Sequence, residues 1–168
     1  MHSQGVDASV RRVFGTDCTV VCDDGMLCMY TVNDEKRSVF VTRPKRLQVE
    51  TVHRFCEEHR RMMANHDTKR GRNLLFVYDF SDLEYTEMGQ HIPPFADVHK
   101  EHSHLYRRCL YGTVLVIRSE RLRTAMELAF AFTYTPTRPI LFSAPDETVE
   151  EDMRSFWSRP KQPLPLQG

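Results

Sequence analysis

The residues best suited to chemistry stand at the end of the apolar run "74-LLFVYDF-80" and just after it. Asp79, Ser81, Asp82, Glu84, Thr86, Glu87, Met88 and Gly89 form a polar segment rich in acids. Two carboxylates can hold a cation, or divide acid and base roles when their environments separate their pKa values. Nothing in the spacing brings two of these acids together, and acids behind a strand commonly keep a loop in solvent. The segment is therefore expected to bind rather than catalyse, because crevices of open α/β sheets lie at the carboxyl ends of strands.

Histidines form a second cluster, His91 with "99-HKEHSH-104". His99 and His102 stand three apart, a helical spacing that can share one metal. The H-E-x-x-H pattern is absent. His102 falls on an apolar stripe and His99 among charged residues, so buried or rim histidines are expected, with His99 and His102 as the metal alternative. Cys18, Cys22 and Cys28 lack the C-x-x-C knuckle of a closed zinc site. In a strand Cys18 and Cys22 would share one face, which favours core packing. Cys56 and His59 both fit the buried stripe of a helix, which leaves a nucleophile–base pair unsupported. Ser119 heads a helix, and its neighbouring N–H groups suit an anion; a plain N-cap is the expected role. With seven glycines and no glycine-rich phosphate loop, no cofactor is expected. "160-PKQP-163" has the PxxP pattern of a polyproline II segment, without the usual flanking basic residue.

These residues need elements to carry them. Residues 1–16 are polar and small, and read as a flexible tail. In "18-CTVVCDDGMLCMYTV-32", Asp24-Gly25 suits a type I′ turn between strands near 18–22 and 26–32. "38-SVFVT-42" is a third strand. From 46 to 66, Leu47, Val52, Phe55, Cys56, His59, Met62 and Met63 recur in steps that make one helical stripe. "74-LLFVYDF-80" and "113-TVLVIR-118" are continuous enough for strands buried on both faces. Pro93 and Pro94 open a helix whose inward positions are Phe95, Val98, His102, Leu105 and Cys109. Leu122, Ala125, Met126, Ala129, Phe130 and Phe132-Thr133 form the next stripe. "140-ILFS-143" is a short strand. The final helix within 144–157 turns Val149, Met153, Phe156 and Trp157 inward. Residues 158–168 form a Pro-rich tail. The predicted fold is α/β, a mixed and mostly parallel sheet started by an antiparallel hairpin, with four helices in the order β-β-β-α-β-α-β-α-β-α.

Bulk properties bound the function. A chain of 168 residues with 40% hydrophobic residues suits one domain, placed at 17–157. Lys+Arg and Asp+Glu both total 23, so no global charge draws the chain to nucleic acid. No apolar run reaches the ~18–20 residues of a membrane span. Five cysteines, an odd number, behind no apolar leader segment point to reduced thiols and a cytoplasmic, intracellular location.

The stretch "75-LFVYDFSDLEYTEMG-89" resembles the signature of STAS domains, the anti-sigma-factor-antagonist-like fold. In that family an apolar strand ends in Asp-Leu-Ser-Gly before a loop and a switch-serine helix. Asp79-Phe80-Ser81-Asp82-Leu83 matches the strand exit. "114-VLVIRSERLRTAMELAFAF-132" and "138-RPILFSAPDETVEEDMRSFW-157" are similar to the later part of STAS and SpoIIAA-like domains. The resemblance spans roughly 38–157. Where the family keeps its switch, this chain has Glu87-Met88-Gly89-Gln90, with no hydroxyl in register. A weaker similarity is to CRAL-TRIO lipid-binding domains, through "104-HLYRRCLYGTVLVIRSERLRTAMELAFAF-132".

The resemblance implies a non-enzymatic regulatory module that binds a protein partner, or a small anionic or apolar ligand. Its rim would comprise 81–95, 118–121 and 143–147, with Ser81, Asp82, Glu84, Thr86, Glu87, Met88, Gly89 and Ser119 in contact. A homodimer is left open. Two alternatives stand beside it: a carrier of a lipid or other small apolar ligand, gated by the helix 120–133 with Phe130 and Phe132, and an enzyme that uses the acidic loop and the histidines.

Overall fold

The computed structural model describes residues 3–34, 37–66, 73–84, 89–132, 138–145 and 148–158. Six strands form one sheet in the order β1-β2-β3-β4-β5-β6. They are β1 (Cys18–Asp23), β2 (Leu27–Asn33), β3 (Arg37–Pro44), β4 (Asn73–Asp79), β5 (Leu110–Val116) and β6 (Ile140–Ser143). The first three pair antiparallel, and β3 to β6 pair parallel. The α/β class and the mixed sheet therefore agree with the patterning.

The helix count does not. The described residues hold six α-helices: α1 (Ser3–Phe14), α2 (Val49–Asn65), α3 (Ile92–Glu101), α4 (Ser103–Cys109), α5 (Glu120–Phe132) and α6 (Val149–Ser158). The expected four helices and ten-element order are corrected at two places. The first is the expected loose tail. Val6, Val10 and Phe14 recur at helical spacing and are buried against the sheet. Gly15, at φ 108°, ends α1 by donating its N–H to the Arg11 carbonyl at 2.9 Å, a left-handed stop that suits glycine. Asp7 anchors the helix, accepting from Tyr30 Oη at 2.7 Å and from Arg43 at 2.8 Å. The second correction is the helix expected to run through His102. His102 has φ −105° and ψ 9°, and the chain restarts there as α4.

Local chemistry differs at two further points. Gly25 has no positive φ, so the expected type I′ turn is absent. The Asp24 carboxylate instead accepts from the N–H groups of Met26 at 2.8 Å and Leu27 at 3.0 Å, closing the loop with a side chain. The β1–β2 register shifts between Val20 and Cys22. This bulge interrupts the alternation, so Cys22 packs into one core and Cys18 borders the other. The expectation of a shared face is overturned.

Each crossover from β3 onward adds its strand on the same side of the last. Right-handed connections then place the intervening helices on one face. That face carries α2 to α5, over a core that includes Phe55, Phe76, Tyr78, Tyr106, Leu115 and Leu122. The opposite face carries α1 and α6, over Val41, Leu75, Val77, Val114, Val149 and Met153. Trp157 meets Phe14 edge-on, with ring centroids 6.0 Å apart. The Phe156 side chain and residues 159–168, including the PxxP segment, lie outside the described residues. Among the described residues no helix is long and apolar enough to cross a membrane.

Candidate functional site

The carboxyl ends of β3 to β6 share one edge of the sheet. The N–H of Phe80 donates to Val116 at 2.8 Å, and that of Ile117 to Ser143 at 2.9 Å. Sequence-predicted rim residues meet at this edge in different states. Ser81 is buried and turns inward, its Oγ donating to Asp79 Oδ1 at 2.5 Å and its N–H at 3.1 Å. Asp79 itself is 0% exposed. Burial raises its pKa, against the opposing hydrogen bonds from Ser81 and the charge of Arg43. Asp82, Glu84 and Gly89 are exposed. Thr86, Glu87 and Met88 lie outside the described residues. Ser119 is an N-cap: its Oγ accepts from the Leu122 N–H at 3.2 Å. Alternation along β4 points Asp79 toward the α1 face, with Leu75 and Val77, while Asp82 and Glu84 stand in solvent.

Tyr78, on the other face of β4, meets the histidines. His99 is buried and its Nε2 lies 2.9 Å from Tyr78 Oη. Its Nδ1 lies 3.1 Å from Tyr106 Oη. That hydroxyl lies 2.5 Å from Nε2 of His59. Tyr78, His99, Tyr106 and His59 thus form one buried chain of hydrogen bonds drawn from β4, α3, α4 and α2. Burial pushes the His99 pKa down to about 3, with His102 adding to the effect. Burial also lowers that of His59, helped by His99 and His102. Both imidazoles are neutral at pH 7, and each can donate through one nitrogen and accept through the other.

The placement of the two helical histidines is the reverse of the expected one. His99 follows Phe95 by one turn on the inner face of α3, and the break at His102 leaves His102 half-buried, its Nδ1 2.8 Å from the Val98 carbonyl. His99 has both ring nitrogens engaged by tyrosine hydroxyls. Among the described residues no three His, Cys, Asp or Glu side chains are grouped to hold a metal. The five cysteines are free thiols. Burial raises the thiol pKa of Cys22, Cys28 and Cys56. Cys56 donates to the Pro94 carbonyl at 3.8 Å rather than facing His59.

An apolar pocket opens beside this chain, between β4–β6 and α3–α5. Ile92, Phe95, Leu115, Met126, Phe130 and Ile140 line it, with Tyr78, His99, Tyr106 and Arg138 as polar members. The cavity measures about 50 Å³. No family model, curated protein or solved structure matches this chain. The pocket's own construction therefore carries the functional reading.

Its outer wall, α5, is lightly held. Only Leu122 and Met126 are buried among its described residues. Phe130 reaches Phe142 with centroids 6.1 Å apart, and Arg123 sits 5.7 Å over the same ring. Leu128 and Phe132 are 54% and 85% exposed. The expected inward Phe132 is thus corrected. A 13-residue helix rotates its face past any one wall, and Leu122, Met126 and Phe130 already occupy the inner one. Thr133 lies outside the described residues.

Sequence reasoning placed His59 on a buried stripe but did not join it to Tyr78, Tyr106 or Arg138. The available signal was a polar side chain on an otherwise apolar face, which demands a buried partner. It could not say which partner.

Proposed function

We propose that the chain is a non-enzymatic binding module that holds a small apolar or amphipathic molecule between its sheet and α5. One observation carries this reading. A pocket with an apolar wall and a hydrogen-bonding side lies under a helix anchored by two buried residues. Apolar lining with a few polar groups is the ordinary composition of small-molecule sites. At about 50 Å³ the cavity is smaller than such sites, so occupancy requires α5 to swing outward. The consecutive strand order, with four helices on one face, supports a STAS-like architecture. Commitment of both His99 nitrogens to tyrosines supports binding over proton transfer.

The test is titration of the full chain with the uncharged fluorophore N-phenyl-1-naphthylamine. The unaltered protein should bind it at one site. Ala129→Leu, which fills the half-buried pocket wall, should weaken binding at least tenfold with unchanged circular dichroism. Equal binding by both proteins overturns the reading.

A second reading, a protein partner at the rim, is favoured by the exposure of Asp82, Glu84 and Gly89 at the shared strand edge. It requires that Glu87→Lys or Met88→Asp release a partner captured by the unaltered chain. Retention of every partner by both variants ends it.

A further inference from the structure

A fifth polar residue, Thr113, belongs to the pocket's lining. It stands on β5, where alternation puts its side chain on the same face as Leu115, toward the core beneath α5. Its neighbours across the sheet are Phe76 on β4 and Ile140 on β6. Thr113 is therefore a hydroxyl in the middle of an apolar floor. Strand β5 is interior, covered laterally by β4 and β6, yet Thr113 is only half-buried. The surface it keeps opens upward, into the pocket. The other polar lining residues are engaged. Tyr78, His99 and Tyr106 hydrogen-bond in one chain, and Arg138 Nη2 donates to the Arg107 carbonyl at 2.6 Å. Among the described residues the Thr113 hydroxyl makes no hydrogen bond, and it is not sealed from the cavity.

We propose that the pocket selects apolar ligands that carry one uncharged hydroxyl or carbonyl, and that Thr113 is the residue that reads this group. This rests on the ligand-binding reading above. A threonine hydroxyl has one proton and two lone pairs, so it can donate to a carbonyl and either donate to or accept from a hydroxyl. A hydroxyl buried without a partner loses its hydration and gains nothing in return. Thr113 and a ligand oxygen both lose water on binding, and each becomes the other's partner. A hydrocarbon of the same shape leaves Thr113 unsatisfied. Where position 113 is apolar the order reverses, because the ligand oxygen is then the group left without a partner. A charged head group needs several donors or a counter-ion, which one hydroxyl does not supply. The rest of the floor, Phe76, Leu115 and Ile140, holds the apolar body.

The experiment is fluorescence titration of the full chain at pH 7.5 with 2-naphthol and with naphthalene, repeated on Thr113→Val and Thr113→Ser. Valine keeps the shape of the side chain and removes the hydroxyl; serine keeps the hydroxyl and removes the methyl. The ratio of 2-naphthol affinity to naphthalene affinity should fall at least tenfold in Thr113→Val and stay within about twofold in Thr113→Ser. Naphthalene should bind Thr113→Val at least as tightly as the unaltered protein, which reports an intact pocket. Should Thr113→Val fail to fold, Thr113→Ala removes the same hydroxyl and must show the same fall. If the ratio survives loss of the hydroxyl, or falls equally in Thr113→Ser, the role of Thr113 is overturned and the pocket reading stands. If neither molecule binds the unaltered protein, both are overturned.

Discussion

Tyr106 Oη lies 2.5 Å from Nε2 of His59, a residue 47 positions earlier in the chain. The same hydroxyl lies 3.1 Å from His99 Nδ1. One oxygen thus links α2, α3 and α4 behind the pocket. A tyrosine hydroxyl has one proton and two lone pairs, enough to serve both imidazoles. Tyr106→Phe keeps the ring and removes the link, leaving two buried ring nitrogens short of a partner. The expected loss is about 2–3 kcal/mol of stability, read from the urea midpoint. A loss below about 0.5 kcal/mol would show that the chain contributes little.

The two buried imidazoles make stability depend on acid. Their folded pKa values lie below the unfolded value of 6.5, that of His99 at about 3. Between those limits the unfolded chain binds protons that the folded chain refuses. Stability is full above about pH 6.5 and falls as the pH drops, by about 1.4 kcal/mol per pH unit for His99 down to about 3, with His59 acting in the same direction. Urea midpoints from pH 7.5 to 4.5 measure the slope. His99→Gln should flatten it by about one proton, and an unchanged slope would remove His99 from the account.

Asp79 shifts in the opposite sense. Its folded pKa is raised by burial. The stability linked to its proton is present below the unfolded pKa of about 3.9 and is lost as pH rises through the folded value. Asp79→Asn keeps an acceptor for the Ser81 N–H and Oγ–H and removes the buried charge. The variant should be about 1 kcal/mol more stable at pH 7, with the difference closing toward pH 4. A destabilised variant at pH 7 would assign the charge a favourable partner instead.

Ser119 sets the start of the helix over the pocket. Ser119→Ala removes the acceptor of the Leu122 N–H and should cost about 1 kcal/mol. Because α5 is lightly held, the effect should concentrate there. Amide exchange should accelerate over 120–126 and remain unchanged in β4. Uniform acceleration would indicate that α5 opens only with the whole domain.

The N-terminal helix is expected to be part of the fold. Asp7→Ala leaves the Tyr30 hydroxyl and the Arg43 guanidinium without their carboxylate. A loss of about 2–4 kcal/mol is expected, measurable by thermal or urea unfolding. An unchanged midpoint would mean that α1 docks without stabilising the sheet.

Strands β2 to β6 and helices α2, α5 and α6 follow from local pattern, because alternation and helical spacing report which face of an element avoids water. Ser119 was legible as a cap for the same local reason. Helix α1 was also within reach: Val6, Val10 and Phe14 carry the period and Gly15 the stop, but the polar composition of residues 1–16 obscured them. Other features had no local cause. The bulge that separates Cys18 from Cys22 depends on pairing with β2. The break at His102 takes that residue off the helical stripe, and neighbouring residues of one helix differ by 100° in direction, so one short interruption moves a side chain out of the core. Above all, Tyr78, His99, Tyr106, His59 and Arg138 are ordinary residues in sequence. They become a site only where a sheet and four helices bring them within hydrogen-bond reach of one another or around one cavity, since a buried polar group takes its meaning from partners that the chain supplies from elsewhere.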